Sequence, residues 1–247
     1  RGKTQKIGVI VPRLDSSFHA SIVHGIQSVL DEHGYRLLLA DSEHRFADES
    51  HEVELFLEYR VDGLISVALP DDVPQSTVME WLVNLVTDGV ALVVVDDQTA
   101  SSIVDCVTAD DVLGARLAME FLVALGHTRI AHLSAGEVMS SSRSRREGYE
   151  ATLRASGIGV DPSLIAGSSY FMSSEDIRAA FAKLIRSEPQ PTALFAANDD
   201  MAAECLVAAR SLGIRVPEDL SIAGFGDTAA GHYLDITTVH QDPVSMG

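Results

Sequence analysis

The sequence predicts an α/β protein of two Rossmann-like lobes, each a parallel sheet covered by helices on both faces. Three observations carry that expectation. Short apolar runs alternate with stretches of helical periodicity along the chain. The runs are apolar at consecutive positions, so both strand faces are buried, as in parallel sheets. The alternation also restarts near residue 108, which gives two βα series of similar length.

The first strand is KIGVIV at residues 6–11. A helix at 20–32 follows, with Ile22, Ile26, Val29 and Leu30 on one face. A second strand spans 35–40. The next helix lies within 47–60 and uses Val53, Phe56 and Leu57. A strand at 63–68, a helix at 77–87 and strands at 90–95 and 103–108 complete the first series. The second series opens with a helix at 112–125, with Ala118, Phe121, Leu122 and Leu125 on one face. It continues with a strand at 129–133, a helix at 145–156 and a short strand at 164–168. A helix at 174–185, a strand at 192–196, a helix at 201–212 and a strand at 220–225 close it. Gly34, Gly126, Gly157 and Gly213 each follow a helical run, where a left-handed C-cap fits.

Charge narrows the function. Lys and Arg number 18 against 36 Asp and Glu, a formal net charge of −18. Nucleic acid needs clustered phosphate-neutralising cations, and the one compact basic run is Arg143, Arg145 and Arg146. That run is too small for a DNA footprint, so any DNA contact belongs to another segment. The same charge disfavours an anionic membrane surface, and no apolar stretch is long enough to cross a bilayer. Cys106 and Cys205 lack the spacing of a metal site or redox pair and sit among apolar residues, as small buried hydrophobes do. There is no HExxH, no GxSxG elbow, no Walker A and no dinucleotide fingerprint, so neither catalysis nor a cofactor is expected.

Ligands of open α/β sheets bind beyond the carboxyl ends of the strands. That rule selects residues 13–19, 68–72, 96–98, 134–145, 197–200 and 226–229, loops that two facing lobes would gather around one cleft. Asp15 either faces a ligand hydroxyl or caps the next helix, Ser16 or Ser17 is a helix cap, and Phe18 is core or a cleft wall. Asp96, first beyond its apolar run, suits two neighbouring hydroxyls or a turn, while Asp97 is expected in solvent. One of Asp110 and Asp111 caps the helix they precede. Arg145 is a directed donor at a loop edge or part of a solvated basic face. Asn198 offers a donor and an acceptor to a ligand, or else it or Asp199 caps a helix; Asp227 has the same two readings. Acids, an amide, an arginine and aromatic walls suit a hydroxylated molecule such as a sugar.

With these residues in place the chain resembles the effector-binding core of the lactose-repressor (LacI/GalR) family, which shares its fold with periplasmic sugar-binding proteins. The likeness runs in family order through KIGVIVPRLDSSFHASIVHGI (6–26), RVDGLISV (60–67), ALVVVDD (91–97) and VTADDVLGARLAMEFLVALGHTRIAHLSA (107–135). It continues through RREGYEATLRASGI (145–158), PTALFAANDDMAAECLVAARSLGIRVPEDLSIAGFGD (191–227) and ITTVHQDPVSMG (236–247).

The resemblance implies a type I periplasmic-binding-protein-like fold with crossover strands. Its lobes would be residues 6–107 plus 240–247, on the dimer and hinge side, and residues 108–239. It implies a cytoplasmic homodimeric regulator that senses a small effector, a sugar or a nucleoside, and binds operator DNA through an N-terminal helix-turn-helix head. That head would precede this sequence, and a further C-terminal segment would follow it. It places Asp15, Ser16, Phe18, Asp96, Asp111, Arg145, Phe171, Asn198 and Asp227 at ligand-facing positions. Helices 20–32 and 77–87 are its candidate dimer faces. One departure stands out: relatives usually carry GFDD or GYDD where this chain has GFGD, so Gly226 replaces an acid that often meets the effector. Either that carboxylate is lost, or Asp227 has taken its role. A periplasmic sugar-binding protein is the alternative.

Overall fold

The computed structural model describes residues 3–136, 139–167 and 173–247. The chain forms two compact units, residues 1–109 with 242–247, and residues 110–241.

The first unit alternates β1 (Lys6–Val11), α1 (Ser17–Glu32), β2 (Arg36–Asp41), α2 (Phe46–Glu58), β3 (Gly63–Val67), α3 (Gln75–Thr87), β4 (Leu92–Val95) and β5 (Asp105–Val107). All four strand pairings are parallel, in the order β2-β1-β3-β4-β5. Strand periodicity sorts the side chains. Val9 and Val11 join Ile22 and Ile26 of α1 in one core, whereas Ile10 joins Val53 and Phe56 of α2 in another. Gly8 is required by that second packing, because a Cβ there would meet the Leu64 side chain at 2.8 Å and the Phe56 ring closer still.

The second unit comprises α4 (Asp111–Ala124), β6 (Ile130–Leu133), α5 (Ser140–Ala155), β7 (Ile165–Ala166), α6 (Ser174–Ile185), β8 (Ala193–Ala196), α7 (Asp199–Ser211), β9 (Ser221–Ala223) and α8 (Ala229–Tyr233). Its sheet is parallel in the order β7-β6-β8-β9. Single parallel bridges, Ala223 to Thr237 and Gly226 to His240, lay the exit strand beside β9. One core face holds Met119, Leu122, Tyr149 and Phe195, and the other Phe181, Leu184, Leu194 and Met201. The last helix, α9 (Pro243–Met246), returns to the first unit and packs on α1.

The four glycines expected to stop helices all have positive φ, from 70° to 94°. Side-chain caps by Ser16, Asp110, Ser173 and Asn198 start α1, α4, α6 and α7, each worth about 1 kcal/mol.

Several expectations need correction. Helix α5 begins five residues before the expected 145, at Ser140. Its first turns bury Ser140, Ser141, Ser142 and Ser144, so they show no apolar periodicity to read. Phe121 and Leu125 are exposed rather than on the buried face of α4, which is formed by Ala115, Ala118, Met119 and Leu122. Val29 and Leu57 are likewise exposed. Asp97 is buried, not solvated, because it accepts bonds from the Thr99 backbone N–H at 2.8 Å and Oγ1 at 2.7 Å. Cys205 is buried as expected, but Cys106 is only half-buried.

Buried titratable groups set the pH response. Burial holds His19, His44 and His132 neutral, with pKa values lowered to about 4. His132 stacks between Tyr149 and Phe195, with centroids at 5.0 and 5.2 Å, and donates from Nδ1 to the Phe195 carbonyl. These histidines remove stability as pH falls from 6.5 toward 4, where the unfolded chain binds protons that the native state refuses. Glu49 works in the opposite sense. Burial raises its pKa to about 7, although Ser66 Oγ donates to Oε1 at 2.5 Å. As pH rises from 4.5 to 7 the unfolded carboxyl ionises first, so the native state loses up to roughly 3 kcal/mol. Glu49→Gln keeps the shape without the proton. Calorimetry should find it more stable than the parent at pH 8 and indistinguishable at pH 4.5. The same difference at both values would contradict the protonated assignment.

Candidate functional site

Both sheets reverse direction of growth beside their first strand, between β1 and β3 and between β6 and β8. In such sheets the crevice at that switch point, outside the carboxyl ends, is where ligands bind. In the second unit the switch point is occupied by Arg145. It stands on the second turn of α5, the helix that follows β6. Its Nε donates to Asp111 Oδ1 at 2.8 Å, and Nη1 donates to the Ala197 carbonyl, just past β8, at 2.6 Å. The guanidinium lies 3.9 Å from the centroid of Phe225, just past β9. The side chains of Arg145 and Asp111 are 10% and 7% exposed. Arg145 is therefore no solvated basic face.

Asp111 opens α4 and Asp110 caps it, accepting from the Leu113 N–H at 2.9 Å. Asn198 caps α7 through Oδ1, which accepts from the Met201 N–H at 2.8 Å. Asp227 is exposed, with Oδ2 2.8 Å from His240 Nδ1. Gly226 has φ of +130°. An L side chain is strained there, so the loop follows a path that an aspartate would not take. Phe171 lies outside the described residues.

In the first unit, Asp15 is exposed and held by Arg13 through two bonds of 2.8 and 2.9 Å. That guanidinium lowers the carboxyl pKa. Ser16 caps α1, and Phe18 is half-buried on the α1 side of the sheet. Asp96 is buried and has φ of +62°. Ala68, past β3, and Asp227, past β9, are also left-handed, at +54° and +53°. Such backbone costs of order 1–3 kcal/mol per residue and gathers at functional loops.

The role of Asp199 is not legible in the sequence. Asp199 is fully buried. Oδ2 accepts from the Thr228 N–H at 2.7 Å and Oδ1 from Thr238 Oγ1 at 2.5 Å, while its own N–H donates to the Phe225 carbonyl at 3.1 Å. A Cβ on Gly231 would come within 2.7 Å of this carboxylate, and one on Gly224 would meet its other oxygen, so these two glycines are its trace in the sequence.

Two parallel-sheet units with polar groups beyond their strand ends define a periplasmic-binding-protein-like domain, and residues 119–247 match the family of that description. The chain is 32% identical to the HTH-type transcriptional regulator GalS of Salmonella typhimurium, over 97% of this chain and 69% of that protein. A LacI family transcriptional regulator from Mycobacterium smegmatis superposes with a TM-score of 0.83 at 28% identity, covering 97% of this chain and 86% of that one. The complex of the transcriptional regulator CelR with cellobiose superposes with a TM-score of 0.85 at 26% identity, covering 99% and 75%. The chain belongs to the LacI/GalR family of transcriptional regulators. It is an effector-sensing domain of a DNA-binding regulator, built to bind rather than to catalyse. Among the described residues no helix is long and apolar enough to cross a membrane.

The Arg145–Asp111 pair predicts a stability effect. Arg145→Ala leaves Asp111 charged and largely desolvated, which costs about 3–5 kcal/mol. Adding Asp111→Asn should recover part of the loss. Urea denaturation checks both, and a single variant as stable as the parent would show the pair to be inconsequential.

Proposed function

We propose that a small hydroxylated molecule, a sugar before a nucleoside, binds at the carboxyl ends of the strands. The observation that carries this reading is the Arg145–Asp111 pair at the switch point. Among the described residues, the hydrogen bonds of this pair use Arg145 Nε and Nη1 and Asp111 Oδ1, which leaves Nη2 as a donor and Oδ2 as an acceptor. Adjacent hydroxyls satisfy both. Asp15, Ser16, Phe18 and Asp96 are the proposed contacts in the first unit, and Asn198, Asp227 and Phe171 complete those proposed in the second. The cellobiose complex of CelR supports a sugar, and the scarcity of cations beside the strand ends disfavours a doubly charged phosphate.

An effector shifts a regulator's balance between conformations only by its difference in affinity for them. Transmitted to paired N-terminal helix-turn-helix heads, that shift alters their fit to two operator half-sites. This work is done in the cytoplasm, as a homodimer. Exposed apolar side chains support self-association: Val29 on α1, Val83 and Val86 on α3, and Val207 on α7 beside a groove of about 580 Å³ lined by Leu206, Ile214 and Val216.

Calorimetry against D-ribose, D-galactose, cellobiose, cytidine and inorganic phosphate should identify a neutral sugar binder. Arg145→Lys keeps the charge but loses the planar fork, so it should weaken that sugar at least tenfold. Unchanged affinity would remove Arg145 from the site. Sedimentation should give twice the chain mass of 26.5 kDa. A monomer at micromolar concentration would contradict the dimer.

A further inference from the structure

We propose that His19 is a positioning residue for the effector, fixing the loop of residues 12–16 so that Asp15 and Phe18 are presented in one conformation. This rests on the proposed role of that loop. The loop joins β1 to α1 and is anchored from several sides. The Leu14 N–H donates to Asp41 Oδ2 at 2.9 Å, which ties it to the end of β2. The Ser16 hydroxyl accepts from the His19 N–H at 3.4 Å, a long cap. The third anchor is the His19 ring, whose Nδ1 lies 3.2 Å from the Arg13 carbonyl oxygen. Both ends of the His19 residue therefore grip the loop, the backbone at Ser16 and the ring at Arg13.

The ring is poorly explained as core filling. It is 1% exposed, and its Nε2 is buried without a hydrogen-bond partner. A carbonyl can only accept, so Nδ1 carries the hydrogen, and Nε2 is left as a lone pair facing no donor. An orphaned buried acceptor is destabilising relative to an apolar ring of the same shape. What a phenylalanine could not supply is the bond to Arg13. The ring also meets Phe18 edge-to-face, with centroids 5.8 Å apart. Phe18 orientation is thereby coupled to the same anchor. Arg13 in turn holds Asp15 through two bonds, so fixing the Arg13 backbone fixes the frame from which the Asp15 carboxylate is displayed.

The test uses three variants. His19→Asn keeps an N–H donor at the δ position, His19→Gln moves it one atom outward, and His19→Leu removes it. Amide hydrogen exchange of the peptide spanning residues 12–18 is read against peptides of α2 and α3, in the same unit, as internal controls. Leu and Gln should speed exchange in residues 12–18 by tenfold or more with the controls unchanged, and Asn should return it to within threefold of the parent. If Leu leaves this peptide unchanged, or if Asn and Leu behave alike, the ring does not position the loop. A variant that fails to fold speeds the controls as well, and the Asn-to-Gln contrast then decides. The measurement contains no effector, so its outcome is separate from that of the sugar titration. Where a sugar binds the parent, Leu should weaken it at least fivefold and Asn less than twofold. Equal weakening by both would overturn the positioning role.

Discussion

A guanidinium taken out of water must be given partners, and the second unit is arranged around that requirement. Arg145 draws on three elements: the first residue of α4, the carbonyl just past β8 and the ring just past β9. Those elements meet because α4 and α5 approach closely. Gly148, one turn after Arg145, permits the approach, since a Cβ there would meet the Val112 carbonyl at 2.6 Å and the Ala115 side chain at 2.7 Å. The ring of Phe225 is placed in the same way from the other side. Its carbonyl is bound by the Asp199 N–H, and the Asp199 carboxylate ties the following loop to Thr238. Two buried carboxylates, Asp111 and Asp199, thus hold the strand ends in register with one buried cation.

The first unit solves its burial problem differently. Three of its buried titratable groups, His19, His44 and Glu49, answer to desolvation rather than to a charged partner. Desolvation keeps His19 and His44 deprotonated and raises the Glu49 pKa to about 7, with serine hydroxyls as its partners. Hydroxyl and imidazole partners cost less desolvation than ions but confer less rigidity. The loops above them depend instead on local ties, such as Leu14 to Asp41 and Thr99 to Asp97. A left-handed Asp96 and Ala68 show where that backbone has been bent away from its relaxed form.

The architecture was legible because burial on both faces leaves an unmistakable record in KIGVIV, ALFA and LVVV, and because glycine marks four helix ends. What escaped were elements whose buried face is polar. The first turns of α5 bury serines and Arg145, so periodicity placed its start five residues late. Helices α8 and α9 have five and four residues, too short for any period to register. The candidate site was legible as residue types but not as partnerships. Arg145 next to Arg143 and Arg146 reads equally as a solvated basic run, and nothing in a linear sequence sets Asp111 beside it. Asp199 looked like a second cap beside Asn198; only the fold shows the neighbouring residue capping while Asp199 ties down the loop.

The pairing of Arg145 with Asp111 also bears on how a sensor answers its effector. A lone buried arginine would bind any acceptor strongly and discriminate poorly. Once Asp111 and the Ala197 carbonyl take two of the guanidinium's N–H donors, those that remain have a fixed direction. In the proposed role an entering hydroxyl would fit the free donor and the free carboxylate oxygen at one time, and its affinity would come from geometry already set before binding. Preorganisation of this kind lowers the ordering cost of association. A site of that kind would leave more of the binding energy available as a difference in affinity between conformations, the one quantity through which a ligand shifts an equilibrium.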